Sequence, residues 1–269
     1  MTRRTMRPSR DRHDLYQRAV QTPDVDAAFL DRVYRRANGR PAALLREDFC
    51  GTAALSCGWI RHARRCRALG IDLHGPTLRW GRRHNLAKLT DEQLSRITLV
   101  QANVLDVSRP KADIVCAFNF SYSVFKTRAE LQAYADNARR SLSPGGVLVM
   151  DAWGGHLTQQ PHTDRKRMKG GVTYLWEQVS FDPITHEIDC RIHFEFKRGR
   201  AMRDVFRYDW RLWTLPELQE VMQQAGLEDV HVLWEGSTTS GRGDGVFRRR
   251  TRGDSDAAWI AYVVGRAPS

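Results

Sequence analysis

The stretch LLREDFCGTAALS, Leu44 to Ser56, decides the reading of this chain. Leu44 to Asp48 has the character of a short buried strand, Cys50-Gly51-Thr52 that of a tight turn, and the residues after it that of a helix. The next strand-like segment, ALGID, ends in a carboxylate at Asp72, 25 residues after Glu47, which is about one βαβ unit. In an open α/β sheet such a turn, backed by helix N–H groups and faced by an acid on the neighbouring strand, holds a nucleoside: its polar end on the turn, its ribose hydroxyls on the acid. A dinucleotide is disfavoured. Its pyrophosphate requires close backbone approach at G-x-G-x-x-G, whereas Phe49, Gly51 and Ala53 offer one glycine. A nucleoside with an amino-acid tail fits better.

The residues Glu47-Asp-Phe-Cys-Gly-Thr-Ala resemble the first motif of class I S-adenosylmethionine-dependent methyltransferases, an acidic residue followed by G-x-G-x-G. Phe49 stands at the first glycine of that motif and Ala53 at the last, departures that concern the shape of the turn rather than its order in the fold. DFCGTAALS with the later NFSY also resembles a bacterial subgroup of the superfamily, and Leu142-Ser-Pro-Gly-Gly-Val-Leu-Val149 matches a further element, L-x-P-G-G-x-L-V. The resemblance implies an α/β, Rossmann-like sheet of seven mostly parallel strands with flanking helices, S-adenosyl-L-methionine as cofactor, and in-line methyl transfer to a small-molecule acceptor, with nitrogen favoured.

With 269 residues the chain is long enough for one large core plus an elaboration, and too short for two full α/β domains. Its apolar runs fall short of the roughly 18 residues of a membrane span, and MTRRTMRPSRDRHD lacks the apolar centre of a secretory signal, so a cytoplasmic location without membrane contact is expected. Five scattered cysteines without C-x-x-C spacing indicate neither a disulfide framework nor a zinc site, and no metal is expected. The net charge of +12 competes with a small-molecule reading, because a basic surface is the footprint of nucleic-acid binding. Only six of the 43 basic residues are lysine, and the clusters are dispersed without interleaved aromatic rings. Modification of RNA through this surface is kept as an alternative function, and a non-catalytic relative that binds cofactor or partner as another.

Residues 1–13 read as a disordered basic tail, followed by a single domain over 14–269. A helical cap spans 14–39, broken near Thr22-Pro23; the resemblance makes Tyr16 on this cap a cofactor contact, against packing as the plainer role. The cofactor-binding core spans 40–151, with further strands at Ile97–Gln101, Asp113–Phe118 and Val147–Asp151. From 172 to 213 the pattern alternates with period two, as in Ile188, Cys190, Ile192, Phe194 and Phe196. The region 152–213 is therefore expected to be an antiparallel β insertion after the fifth strand. In small-molecule N-methyltransferases of the resembled type it forms a lid over the acceptor; the alternative is a homodimer surface. Residues 214–269 complete the sheet, opening on a capping box at Thr214 and Glu217. The glycine-rich stretch 236–256, with Gly241, Gly243 and Gly245, reads as a linker because no strand leads into it and no helix follows.

The cofactor candidates are Tyr16, Glu47, Phe49, Cys50, Gly51, Thr52, Asp72 with Leu73, and Asn103 with Val104 and Leu105. By the resemblance Asn103 stands where an acid accepts from the adenine amine, and an amide oxygen can do the same. Asn119 belongs to both cofactor and acceptor, since polar residues just after an apolar strand need partners there. Ser121, Tyr122 and Asp151 are further acceptor-positioning candidates, with Trp153 nearby and Trp176, Tyr208 and Arg211 reaching in from the lid. Aromatic rings hold a cationic amine by cation–π attraction, and Arg211 would pair with a carboxylate. His156 and His162 are candidate bases in the loop after Asp151.

Overall fold

Five apolar segments lie side by side and parallel: β1 (Leu44–Asp48), β2 (Arg67–Asp72), β3 (Ile97–Gln101), β4 (Ala112–Ala117) and β5 (Leu142–Gly154). Both faces of such a sheet are covered, so its central strands can carry unbroken apolar runs, as β4 does from Ile114 to Ala117. The structure, a computed structural model, describes residues 10–238 and 243–269. Three antiparallel strands extend the β5 side: β10 (Glu228–Ser237), β11 (Gly243–Arg250) and β12 (Trp259–Arg266). The order is β11-β10-β12-β5-β4-β1-β2-β3, so the strand order reverses between β1 and β4. Ligands of open α/β sheets bind outside the carboxyl ends of the strands at that reversal.

Among the described residues the sheet has eight strands rather than seven. The extra one is β11, inside the stretch read as a linker, and Gly241 of that stretch lies outside the described residues. Its Arg248, Arg249 and Arg250 hide it from a hydrophobic-pattern reading, yet an edge strand needs only a backbone ladder and tolerates charge well. β12 lies inside the sheet, between β10 and β5. β5 runs past Asp151 to Gly154 because β12 pairs with it over that whole length.

Helices α1 (Arg12–Val20) and α2 (Pro23–Asn38) form the N-terminal pair, and α1 starts at Arg12 because Asp11 caps it, accepting from the N–H groups of His13 and Asp14. Helices α3 (Ala54–His62), α4 (Gly75–His84) and the short α5 (Asp91–Leu94) connect the first three strands. Helices α6 (Arg128–Ser141) and α7 (Leu215–Gln224) cover the opposite face, each opening on a Thr-Glu capping box, that of α7 at Thr214 and Glu217 as expected. Between β5 and α7 a separate antiparallel sheet is formed by β6 (His162–Met168), β7 (Val172–Phe181), β8 (Glu187–Phe196) and β9 (Met202–Arg211). Leu15 and Ala19 of α1 pack on this sheet against Val172, Ile192 and Phe194.

Two close contacts fix the turn after β1. Gly81 of α4 lies so near it that a Cβ there would stand 2.4 Å from the Thr52 carbonyl oxygen, a backbone atom, while Asn85 donates to the same oxygen at 2.9 Å. Ala53 at the start of α3 has no side-chain cap to offer, and Glu47 supplies one from inside β1, accepting from the N–H and hydroxyl of Ser56. Burial pushes the Glu47 carboxyl up to about 8, against the Ser56 hydrogen bonds that hold it down.

Gly81→Ala is expected to cost about 1–3 kcal/mol by overpacking α4 against the turn, read as a lower midpoint in thermal denaturation. For Glu47 the sign follows from a carboxyl raised by folding: its stabilising contribution is complete below the ordinary value of 4.5 and is lost as pH rises through about 8. Glu47→Gln should therefore flatten the fall in stability across that window, by up to about 1.4 kcal/mol per pH unit, in urea denaturation at a series of pH values.

Candidate active site

The turn Phe49–Ala53 keeps the backbone that its missing glycines would have given. Phe49, Gly51 and Ala53 all hold left-handed conformations, with φ of 56°, 53° and 57°. Each non-glycine residue there is strained by roughly 1–2 kcal/mol, and surrounding contacts hold it in place. The Phe49 ring leans away from the turn, against Phe125 and Tyr134 at 6.0 and 5.8 Å between centroids, and Ala53 is fully buried. At Gly51 a Cβ would meet only Thr77 Cγ2 at 3.8 Å, so the turn has open space beside it.

The Asp72 carboxylate faces this turn. One oxygen accepts the Gly51 N–H at 2.7 Å and the other the His74 N–H at 2.7 Å, and each keeps a lone pair for a further donor. Gly51 and Asp72 thus share one place at the carboxyl ends of β1 and β2. Leu73 beside them is exposed, at 69%. Cys50 and Thr52 point inward and are buried, so they offer backbone rather than side chain to a ligand. Glu47 is buried behind the turn on Ser56.

Beyond β3, Asn103 is exposed and its side-chain oxygen accepts the Leu105 N–H at 3.0 Å, turning the chain. Val104 is buried and Leu105 partly so. A polar network unforeseen from the sequence holds this loop from beneath. Arg46 and Asp48, fully buried on one face of β1, form an ion pair at 2.7 Å. The Arg46 guanidinium also donates to the carbonyls of Val104 at 2.9 Å and Val107 at 2.5 Å; Asn137 of α6 donates to the same two carbonyls and Tyr134 to Asp48. The only signal was a pair of opposite charges two residues apart in an otherwise apolar strand.

After β4 the backbone is left-handed at two successive non-glycine residues, Asn119 (φ 57°) and Phe120 (φ 58°). Asp151 of β5 clamps them, accepting the Asn119 N–H at 2.7 Å and the Phe120 N–H at 2.9 Å. Burial pushes the Asp151 carboxyl up to about 7, while those two N–H groups pull it down. Asp151 is thereby a holder of the loop, with both oxygens occupied.

Under the antiparallel sheet lies a cavity of about 510 Å³, and Asn119, Trp153, Trp176 and Tyr208 are among the residues that line it. Tyr16 lines it too, in a cavity that neither Gly51 nor Asp72 lines, rather than standing at the turn. Its hydroxyl is pushed up to about 12 by burial, with Tyr208 as the hydrogen-bond partner that moderates the shift. Three expectations are corrected. Tyr122 is 1% exposed and packs in the core between the sheet and α6, because the tight turn after Phe120 points it inward. Ser121 donates to the Phe118 carbonyl and lies off the cavity wall. Arg211 is held outside by Glu217 at 2.9 Å and the Lys126 carbonyl at 3.1 Å, with its guanidinium over Trp213. Trp210 lines the cavity instead. The period of two along β9 was the usable signal: it puts Trp210 on the face of Tyr208 and Arg211 on the other. Phe120 and Trp259 were also missed, and neither His156 nor His162 lines the cavity.

Residues 50–148 match the family model described as "Methyltransferase domain". No curated protein matches the chain in sequence. Among solved structures the chain is similar to the CcbJ methyltransferase from Streptomyces caelestis, at 19% identity over 92% of this chain and 91% of that one, with a TM-score of 0.67. It is similar to S-adenosylmethionine-bound CalS10, an amino pentose methyltransferase from Micromonospora echinaspora, at 17% identity over 94% and 95% of the two chains and a TM-score of 0.66. It also resembles the sugar N-methyltransferase KedS8 from a Streptoalloteichus species, at 22% identity over 96% and 93% and a TM-score of 0.62. The match to a methyltransferase domain spans the glycine turn, the Asp72 tip and the loop after β4, and the chain as a whole has the fold of those enzymes.

Proposed function

We propose that the chain methylates a small molecule at nitrogen with S-adenosylmethionine as donor. The observation that carries the reading is the meeting of the Gly51 N–H with the Asp72 carboxylate at 2.7 Å, at the strand-order reversal, with Asn119 between that place and the aromatic cavity. S-adenosylmethionine, when bound, supplies a methyl carbon activated by an adjacent sulfonium. The residues present fit it. The left-handed turn with open space at Gly51 would take the methionine tail, Asp72 the ribose hydroxyls, and Asn103 with Val104 and Leu105 the adenine. Phe49 stays clear of the turn by packing on Phe125 and Tyr134.

The acceptor would lie in the cavity, covered by the antiparallel sheet in the role of a lid and closed on one side by Tyr16 of α1. The work left to the protein is to hold the nucleophile in line, exclude water and leave the amine unprotonated. An apolar cavity serves the last two, because desolvation lowers the pKa of an amine. Nitrogen as the acceptor atom is supported by the likeness to KedS8, named as a sugar N-methyltransferase. The RNA reading gains no matching support from the arginines of β11, since Arg248, Arg249 and Arg250 are each paired with an aspartate.

Asp72→Ala tests the donor site. It removes the acceptor of two backbone N–H groups and the proposed partner of the ribose, so S-adenosylmethionine affinity should fall by about tenfold or more in titration calorimetry. Equal binding by variant and parent would dismiss the assignment.

A further inference from the structure

The walls of the cavity say more about the acceptor than its position does. Phe120, Trp153, Trp210, Trp176 and Tyr208 form a continuous aromatic surface, with centroid separations of 4.3 Å from Phe120 to Trp153, 6.0 Å from Trp153 to Trp210, and 4.3 Å from Tyr208 to Trp210. Trp176 stands against both Trp210 and Tyr208, at 6.0 and 5.7 Å. The surface is built from four places in the chain: the left-handed loop held by Asp151, the far end of β5, and the strands β7 and β9 on either side of β8.

The polar groups around the same space are mostly engaged. Arg165 pairs with Glu195, Lys166 donates to the Ala19 carbonyl at 2.7 Å, Asp164 stands 3.7 Å from His162, and Glu235 accepts the Gly245 N–H at 3.0 Å. The hydroxyls of Tyr16 and Tyr208 are partners of one another. The Asn119 side-chain amide makes no hydrogen bond to the protein among the described residues, and it lines the cavity just after β4, the strand that pairs with β1. A pyranose can lay its C–H face on an indole, but its hydroxyls then point to the rim, where Arg165, Lys166 and Glu235 are already engaged, and would lose the partners that water had given them. A flat apolar skeleton would instead stack on those faces, with its amine free to approach Asn119 and to be attracted, when cationic, by the rings.

We propose that this cavity selects an amine carried on an aromatic or otherwise flat apolar skeleton, an arylalkylamine in chemical class, and discriminates against amino sugars. The inference deepens the methyl-transfer reading and rests on it only in calling the bound amine an acceptor. The cavity volume suits a ligand of that size, since small-molecule pockets run from about 300 to 1,000 Å³.

Tryptamine and glucosamine have equal numbers of non-hydrogen atoms and one primary amine each, so they separate skeleton chemistry from size. Each would be titrated by calorimetry into the full-length protein saturated with S-adenosylhomocysteine. The expected result is tryptamine binding at least about tenfold more tightly than glucosamine, a difference of about 1.4 kcal/mol. Trp176→Leu, a change on the wall that spares the main sheet, should weaken tryptamine about tenfold while leaving S-adenosylmethionine affinity and melting temperature as in the parent. Glucosamine binding as tightly as tryptamine would overturn the proposal, and so would binding of neither amine at millimolar concentration. Tryptamine affinity indifferent to Trp176→Leu in a folded variant would overturn it as well. A parent protein that binds tryptamine but not S-adenosylmethionine would instead remove the donor reading and leave the skeleton preference standing.

Discussion

The carboxylate of Asp72 accepts the backbone N–H of Gly51 from one side and that of His74 from the other, and the geometry of the site depends on this bridge. In a turn with left-handed residues at 49, 51 and 53 the N–H groups of Cys50 and Ala53 reach the carbonyls of Ile71 and Cys50, whereas those of Gly51 and of His74 beyond β2 have no carbonyl partner among the described residues. Without an acceptor those groups would be satisfied only by water, and the strained turn would have little to keep it from relaxing. The aspartate supplies the acceptor from the neighbouring strand, so the pairing of β1 with β2 and the shape of the turn reinforce one another. The close seat of Gly81 on Thr52, and the Glu47 cap beneath α3, hold the same turn from behind.

A second carboxylate repeats the arrangement across the strand-order reversal. Asp151 accepts two successive N–H groups from left-handed Asn119 and Phe120, and so fixes a loop that would be costly to hold by packing alone. The consequence for chemistry is directional. With its backbone held, Phe120 turns its ring onto Trp153 and becomes part of the cavity wall, which Asn119 also lines. Both carboxylates act on backbone rather than on a reacting atom, which suits methyl transfer, where positioning and exclusion of water matter more than an acid-base pair.

Beneath the loop after β3 the buried Arg46–Asp48 pair serves a related end at greater cost. Taking two charges out of water is repaid only when their remaining hydrogen-bonding capacity is met, and here Val104, Val107, Ser141 and Tyr134 meet it. The pair gives the loop carrying Asn103 one defined position relative to β1. A well-packed apolar pair could have supplied comparable stability, but it would not have fixed two carbonyl groups in direction.

The central parallel strands, the helices between them, the capping box at Thr214 and the acid at Asp72 were legible in LLREDFCGTAALS and the segments after it, because periodicity, turn residues and caps are local signals. The period of two also disclosed the antiparallel insertion, though β6 went unnoticed, since nearly all of its side chains are exposed or polar and carry no alternation. β11 escaped for the same reason: an edge strand is defined by its backbone ladder, which leaves little mark on side chains. The site divided along similar lines. Sequence alone determined that a glycine turn and an aspartate would meet at the strand ends, since one βαβ unit brings them there. Only the tertiary structure decided that Phe49 and Ala53 would keep the backbone of glycines, that Tyr122 and Arg211 would turn away, and that Phe120 and Trp210 would face the cavity. Those outcomes depend on hydrogen bonds and packing between segments distant in the chain, such as Asp151 with Phe120 and Phe49 with Phe125, which no local pattern of residues encodes.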